Sequence, residues 1–273
     1  MPARSAARLP YHHWWTVRGA VVSAVAVAVV LLMGGAAADA GVLPLPPVWQ
    51  HQGGTHGDSL GDTIANYEAG GMAGSQLWET DVRFTKSNIP VLLHDATLDQ
   101  FGCPTVAIAS VSVGQARTCV APNGQSVSTL AQFATDLSTY HARAWVELKT
   151  TPTTAQWKTF DARLGKLKYK VIIQSFWHAA LKAASAHGYT TALLASKAVA
   201  VKNLPAGTDW YAQDYATLTA STITAMHAAG IGVVVYTPAR ADWSSLPPGV
   251  DEIISNDSPD ASAAQTVPAD GGQ

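Results

Sequence analysis

Two tripeptides in this chain place charged groups two residues apart: Glu79-Thr80-Asp81 and Glu147-Leu148-Lys149. Each lies at the end of an apolar run with strand character, and a strand sends residues i and i+2 to the same face. On neighbouring strands, about 4.8 Å apart, the two tripeptides would share one rim. His51 ends the first such run in the chain, and His94 ends a short apolar run after Asp81. Three carboxylates, two imidazoles and one lysine thus converge. Three ionised carboxylates repel one another and raise one another's pKa unless a cation sits among them. Oxygen-only ligands suit Mg2+ or Ca2+ better than zinc, which leaves the histidines for proton transfer near neutrality. An E-x-D on its own is more often a surface pair. Its repetition at matching positions on successive strands is what points to a site.

The elements that would position these groups alternate along the chain. Strand-like runs fall at Val48–His51, Gln76–Val82, Ala144–Lys149, Lys170–Phe176, Thr191–Ala195, Trp210–Gln213, Ile231–Thr237 and Glu252–Ser255. Helical stretches are clearest at Thr63–Ala73, Leu130–Tyr140, Thr154–Leu164, Ala179–Ala186 and Ala220–Ala229. Parallel strands joined by crossover helices predict an α/β fold, a single (β/α)8 TIM barrel whose chemistry sits at the strands' C-terminal ends. Only Thr85-Lys86-Ser87-Asn88-Ile89 separate the apolar runs around Val82 and Val91. That is too short for a crossover, so Val82–Thr85 and Pro90–Leu93 should form a small antiparallel β-hairpin that returns His94 towards Asp81. Asp95–Ser128, rich in Gly, Thr, Ser and Pro, reads as a long loop over the barrel mouth. Ala261–Gln273 are polar and small, a tail expected to fray.

The first forty residues differ from the rest. Arg4, Arg8 and Arg18 precede an uncharged run from Gly19 to Ala38, and small residues follow at Ala36–Ala40. Residues 1–40 therefore read as a signal peptide, with a retained membrane anchor as the alternative, and 41–273 as the catalytic domain, secreted or extracytoplasmic in either case. Without residues 1–40 the chain keeps 14 basic against 18 acidic residues. That balance argues against a nucleic-acid partner. Cys103 and Cys119 are the only cysteines of the 273 residues, and in an exported loop they should form a disulfide.

In order along the chain, His51-Gln52-Gly53, Gly61-Asp62-Thr63, Glu79-Thr80-Asp81-Val82, Thr85, Pro90–Asp95 with His94-Asp95, Glu147-Leu148-Lys149, Ser175-Phe176 and Gly249–Pro259 resemble the motifs of the glycerophosphodiester phosphodiesterase family, in the PLC-like phosphodiesterase superfamily. The resemblance implies a metal-dependent hydrolase of glycerophosphodiesters. It implies His51 and His94 as catalytic acid and base, in an order left open. It also implies Glu79, Asp81 and Glu147 as ligands of one divalent cation, and Lys149 with Gln52 against the substrate phosphate. The family has arginine at position 52 and glutamate at position 61, where this chain has Gln52 and Gly61, with Asp62 as a shorter stand-in for the latter. The family's Trp-Thr-Val-Asn is replaced by Tyr236-Thr237-Pro238-Ala239, a changed substrate rim.

Asp62, His56, Trp177 and Tyr236 are outer candidates for the site. His141, His178, His187 and His227 fall on helices or their ends, and Trp78, Trp145 and Trp210 are core residues. The expected partner is a small-molecule or lysophospholipid phosphodiester, with transient membrane-surface contact for the latter. Two other readings remain open: a phospholipase D of the sphingomyelinase D type acting on lysophospholipids, and a noncatalytic extracellular binding protein on a decayed barrel. Paired carboxylates also occur in glycosidases, but two strand-end histidines and a lysine serve a phosphate better than a sugar.

Overall fold

Alternation of side chains along each strand builds this molecule from the inside out. Trp49, Trp145, Ala192, Ala212, Val234 and Ile254 face one another in an inner cluster, whereas their strand neighbours Val48, Ala144, Val146, Tyr211, Val233, Val235 and Ile253 belong to clusters that also include helix residues. Strands buried on both faces are what a parallel sheet covered by helices requires. The computed structural model describes residues 45–257. The expected leader 1–40 and the tail Ala261–Gln273 lie outside the described residues.

The strands are β1 (Val48–Gln50), β2 (Leu77–Phe84), β3 (Pro90–Leu92), β4 (Thr97–Leu98), β5 (Cys103–Ala107), β6 (Ser128–Thr129), β7 (Arg143–Leu148), β8 (Val171–Ser175), β9 (Thr190–Ala195), β10 (Trp210–Asp214), β11 (Gly232–Tyr236) and β12 (Glu252–Ser255). The helices are α1 (Ile64–Met72), α2 (Val113–Ala116), α3 (Leu130–Thr139), α4 (Thr154–Leu164), α5 (His178–Ala186) and α6 (Ala220–Ala228). Parallel pairing runs in the order β1-β12-β11-β10-β9-β8-β7-β2, and β1 pairs with β2 to close the barrel. The eight-stranded (β/α) barrel read from the sequence is therefore the fold. The crossovers β9–β10 and β11–β12 contain only 3₁₀ turns, at Val201–Asn203 and Arg240–Ser245.

β2 and β3 form the expected hairpin, with Val82 opposite Leu92, Arg83 opposite Val91 and Phe84 opposite Pro90. The segment after it departs from the expected plain loop. It folds as the antiparallel pair β4–β5, the one-turn helix α2 and the short strand β6, which adds to β3. It has a core of its own, with Leu93, Leu98, Phe101, Ile108, Ala116 and Val127 buried, and the Cys103–Cys119 disulfide closes it. Strands of two and five residues are too short to show a period, so composition alone made them read as loop. Capping boxes at Thr129/Gln132 and Thr153/Gln156 set the starts of α3 and α4.

Candidate active site

The C-terminal ends of β1, β2 and β7 converge on one rim. β2 and β7 run parallel in a register that sets Asp81 directly opposite Glu147, with Glu79 two residues below. Glu79, Asp81 and Glu147 each offer a carboxylate oxygen within 4.8 Å of the other two, and all three are buried. Lys149 closes the group, its Nζ 3.1 Å from Asp81 Oδ1 and 3.0 Å from Glu147 Oε2.

Each carboxylate is oriented by neighbours. Glu79 Oε1 accepts from Gln174 Nε2 at 2.9 Å, and Glu79 Oε2 accepts from the backbone N–H of Gln52 at 3.0 Å. Asp81 Oδ2 accepts from Gln52 Nε2 at 2.8 Å. Burial, then the charge of Asp81, pushes Glu79 well above the usual carboxylate range and Glu147 up to about 7. Burial pushes Asp81 the same way, but the charge of Lys149, then His94 and the hydrogen bond from Gln52, outweigh it and hold its carboxyl low. Lys149 is buried too, yet Asp81 and Glu147 hold its pKa above the ordinary value. Two carboxyls kept from ionising by burial and mutual repulsion are what a cation would relieve. The donor set, oxygen only and partly neutralised by lysine, fits a divalent ion such as Mg2+ or Ca2+.

The two histidines flank this floor. His51 Nε2 lies 3.9 Å from Glu79 Oε2, and its Nδ1 is 2.7 Å from Asn256 Oδ1. An amide oxygen only accepts, so Nδ1 carries a proton, and burial lowers the pKa of the ring, which favours the neutral form with a lone pair on Nε2. His94 reaches the mouth because β3 turns back along β2, where the Leu93 N–H bonds the carbonyl of Asp81. Its Nδ1 is 2.8 Å from Asp95 Oδ1, and its side chain is 50% exposed against 26% for His51.

The outer candidates are placed unevenly. Asp62 is fully buried behind β2, where its Oδ1 accepts from Thr80 Oγ1 at 2.9 Å and from the Asp81 N–H at 3.0 Å and meets the Tyr67 hydroxyl at 3.1 Å. It stands outside the group of three carboxylates. His56 turns towards α1, against the place of a Cβ on Gly70. Trp177 and Phe176 follow the end of β8 and are 58% and 46% exposed. Ser175 holds this pair, its Oγ donating to the Leu148 carbonyl at 2.7 Å and accepting from the Trp177 N–H at 3.1 Å. Tyr236 meets Phe176 edge-on at 6.3 Å between ring centres, with its hydroxyl donating to the Ala195 carbonyl at 2.9 Å.

Gln174, Asn256, Asp95 and Arg83 are contributors that the sequence reading did not single out as site residues. Arg83 continues the Glu79, Asp81 face of β2 and donates from Nε to the His94 carbonyl at 2.8 Å. Its position two residues past Asp81 was a readable signal.

Residues 51–259 match the model of the Glycerophosphoryl diester phosphodiesterase family. No curated protein matches the chain. Among solved structures, a chain from Galdieria sulphuraria superposes with a TM-score of 0.70 at 19% identity, covering 78% of this chain and 94% of its own. An Oleispira antarctica phosphodiesterase in complex with the product sn-glycerol-3-phosphate superposes with a TM-score of 0.66 at 20% identity, covering 78% and 93%. A glycerophosphodiester phosphodiesterase from Parabacteroides distasonis gives a TM-score of 0.65 at 19% identity, covering 77% and 92%.

Proposed function

The chain belongs to the glycerophosphoryl diester phosphodiesterase family and is a phosphoric diester hydrolase; we propose that it cuts a glycerophosphodiester to an alcohol and glycerol 3-phosphate outside the cytoplasm. The observation that carries this reading is the convergence of Glu79, Asp81, Glu147 and Lys149 on one rim between His51 and His94. A divalent cation held by Glu79, Asp81 and Glu147 would neutralise charge on the phosphoryl oxygens. Lys149 supplies a second positive charge to the same oxygens. His51, whose Nε2 lone pair is fixed by Asn256, takes the proton of the attacking water or hydroxyl. His94, on the open side of the site with Asp95 accepting from Nδ1, gives its Nε2 proton to the departing alkoxide. The exposed Phe176 and Trp177 are placed to meet the alcohol portion of the substrate. Export through the leader at 1–40 accords with the disulfide, which persists in oxidising compartments.

The test is to assay the purified protein on glycerophosphocholine, lysophosphatidylcholine and a nitrophenyl phosphodiester, each with and without EDTA. Release of glycerol 3-phosphate from the first, abolished by EDTA, is the expected result. Preference for lysophosphatidylcholine would move the substrate to the lysophospholipids. No turnover of any of the three would support a binding role, and full activity in EDTA would refute the cation.

A further inference from the structure

Gly61 is a glycine whose backbone does not need one. Its φ lies outside the left-handed region, so any residue could adopt its conformation. What it lacks is room. A Cβ at position 61 would stand 2.6 Å from Gln52 Oε1, 3.0 Å from Gln52 Cβ and 3.4 Å from Gln52 Cδ. Gln52 cannot yield by moving its backbone, which is held on three sides. Its N–H bonds Glu79 Oε2 at 3.0 Å, and its carbonyl accepts from the Asp62 N–H and from Asn66 Nδ2, both at 3.0 Å. The left-handed backbone of Gln52, at φ 52° and ψ 28°, is part of the same clamp. Only the side chain can swing, and to swing it must leave Asp81, to which Nε2 donates at 2.8 Å.

We propose that Gln52 is a positioning residue for the cation site, its amide seated in the space that Gly61 leaves open so that Asp81 is held facing Glu79 and Glu147. This rests on the reading of the three carboxylates as cation ligands. Gln52 and Gly61 then act as one unit, and a side chain at 61 disturbs the site by way of Gln52. Both positions are neutral, so the pair sets geometry without adding charge to the rim. Outer groups that orient a metal ligand commonly change affinity by about 10- to 100-fold when removed.

Mg2+ binding to the full chain is measured by calorimetry for wild type, Gln52→Ala, Gly61→Ala and the double variant. Gly165→Ala, where a Cβ meets nothing within 4 Å, controls for loss of a glycine. Each single variant should weaken Mg2+ binding at least tenfold, and the double should be no weaker than Gln52→Ala alone, because the two changes strike one interaction. Metal-free melting curves give a readout independent of the cation and of turnover. Gly61→Ala should melt lower than wild type, and adding Gln52→Ala should restore part of the loss. Gly61→Ala binding and melting like wild type, or effects of the two changes that multiply, would overturn the proposal. Wild type that binds neither Mg2+ nor Ca2+ would remove the cation reading and this proposal with it. Wild type that binds, with Gly61→Ala unaltered, would remove this proposal alone.

Discussion

At the scale of single residues, the division of labour between His51 and His94 is open to a direct test. His51→Ala and His94→Ala should each lower kcat by at least about 10², since positioned proton transfer contributes about 10²–10⁴. The double variant should lose far less than the product, because both act on one transition state. A nitrophenyl substrate, whose leaving group needs little protonation, should restore His94→Ala and leave His51→Ala slow; the reverse pattern would exchange the roles. Cation affinity should also depend on pH. Glu147, pushed up to about 7, must lose its proton to become a ligand, so calorimetric Mg2+ affinity should strengthen as pH rises from 6 to 8. The residues in these predictions were legible because strand alternation and motif order expose them: His51, Glu79, Asp81, His94, Glu147 and Lys149. Asn256 and Gln174 were not, because their partners His51 and Glu79 lie 205 and 95 residues away, and only the closed barrel brings them together. Gln52 was visible as a departure from the family, but its contact with the space above Gly61 belongs to a loop geometry that no local pattern encodes.

At the scale of elements, the insertion between β3 and α3 carries the clearest consequence. Its apolar core is small and its strands β4 and β5 are short, so the Cys103–Cys119 bridge, spanning 16 residues, has to limit the unfolded chain. A loop of that length is worth about 3 kcal/mol in chain entropy. Replacing both cysteines with serine should therefore lower unfolding free energy in urea by about 2–4 kcal/mol, and an unchanged midpoint would show the insertion to be held by packing alone. The insertion also buttresses the segment that carries Gly61, since Gln125 accepts from the Leu60 N–H at 2.7 Å and Gln100 donates to the Gly61 carbonyl at 3.3 Å. Catalysis should thus fall along with stability in the serine variant. The hairpin β2–β3 was readable because five residues cannot make a crossover. The β4–β5 sheet was not, because β4 has two residues and its pairing with β5 carries a register shift between Thr97 and Leu98 that leaves no periodic trace.

At the scale of the whole molecule, several carboxyls hold protons in the fold that they would release when unfolded. Burial, then repulsion from Asp81, raises Glu147 to about 7; burial, then Glu68, raises Asp136 to about 6. Glu252 reaches about 7 at the start of β12, mainly through burial, against which the charge of Arg143 and the indoles of Trp49 and Trp145 work only in part. The sign follows from proton counting. Between an unfolded carboxyl pKa of about 4 and these raised values the native state binds more protons, so stability is greatest at the acid side of that window and declines as pH rises through it. Each such group contributes at most about 1.4 kcal/mol per pH unit. A cation shared by Glu79, Asp81 and Glu147 favours their ionised forms, so it should stabilise the fold most where those groups would otherwise be forced to ionise unpaired. Metal-free protein should accordingly melt at falling temperatures from pH 6 to pH 8, the lowered pKa values of buried His51 and His56 opposing that trend most strongly below pH 6, and saturating Mg2+ should flatten much of that slope without removing it. The remainder belongs to Asp62, raised by burial and then by the charge of Asp81 but outside the three ligands, and to Asp136 and Glu252, which lie away from the rim; Glu252→Gln should remove its share whether or not Mg2+ is present. A pH slope that Mg2+ leaves unaltered would mean that the rim carboxylates do not bind the ion, whereas a slope untouched by Glu252→Gln would place the remaining linkage at Asp62 and Asp136.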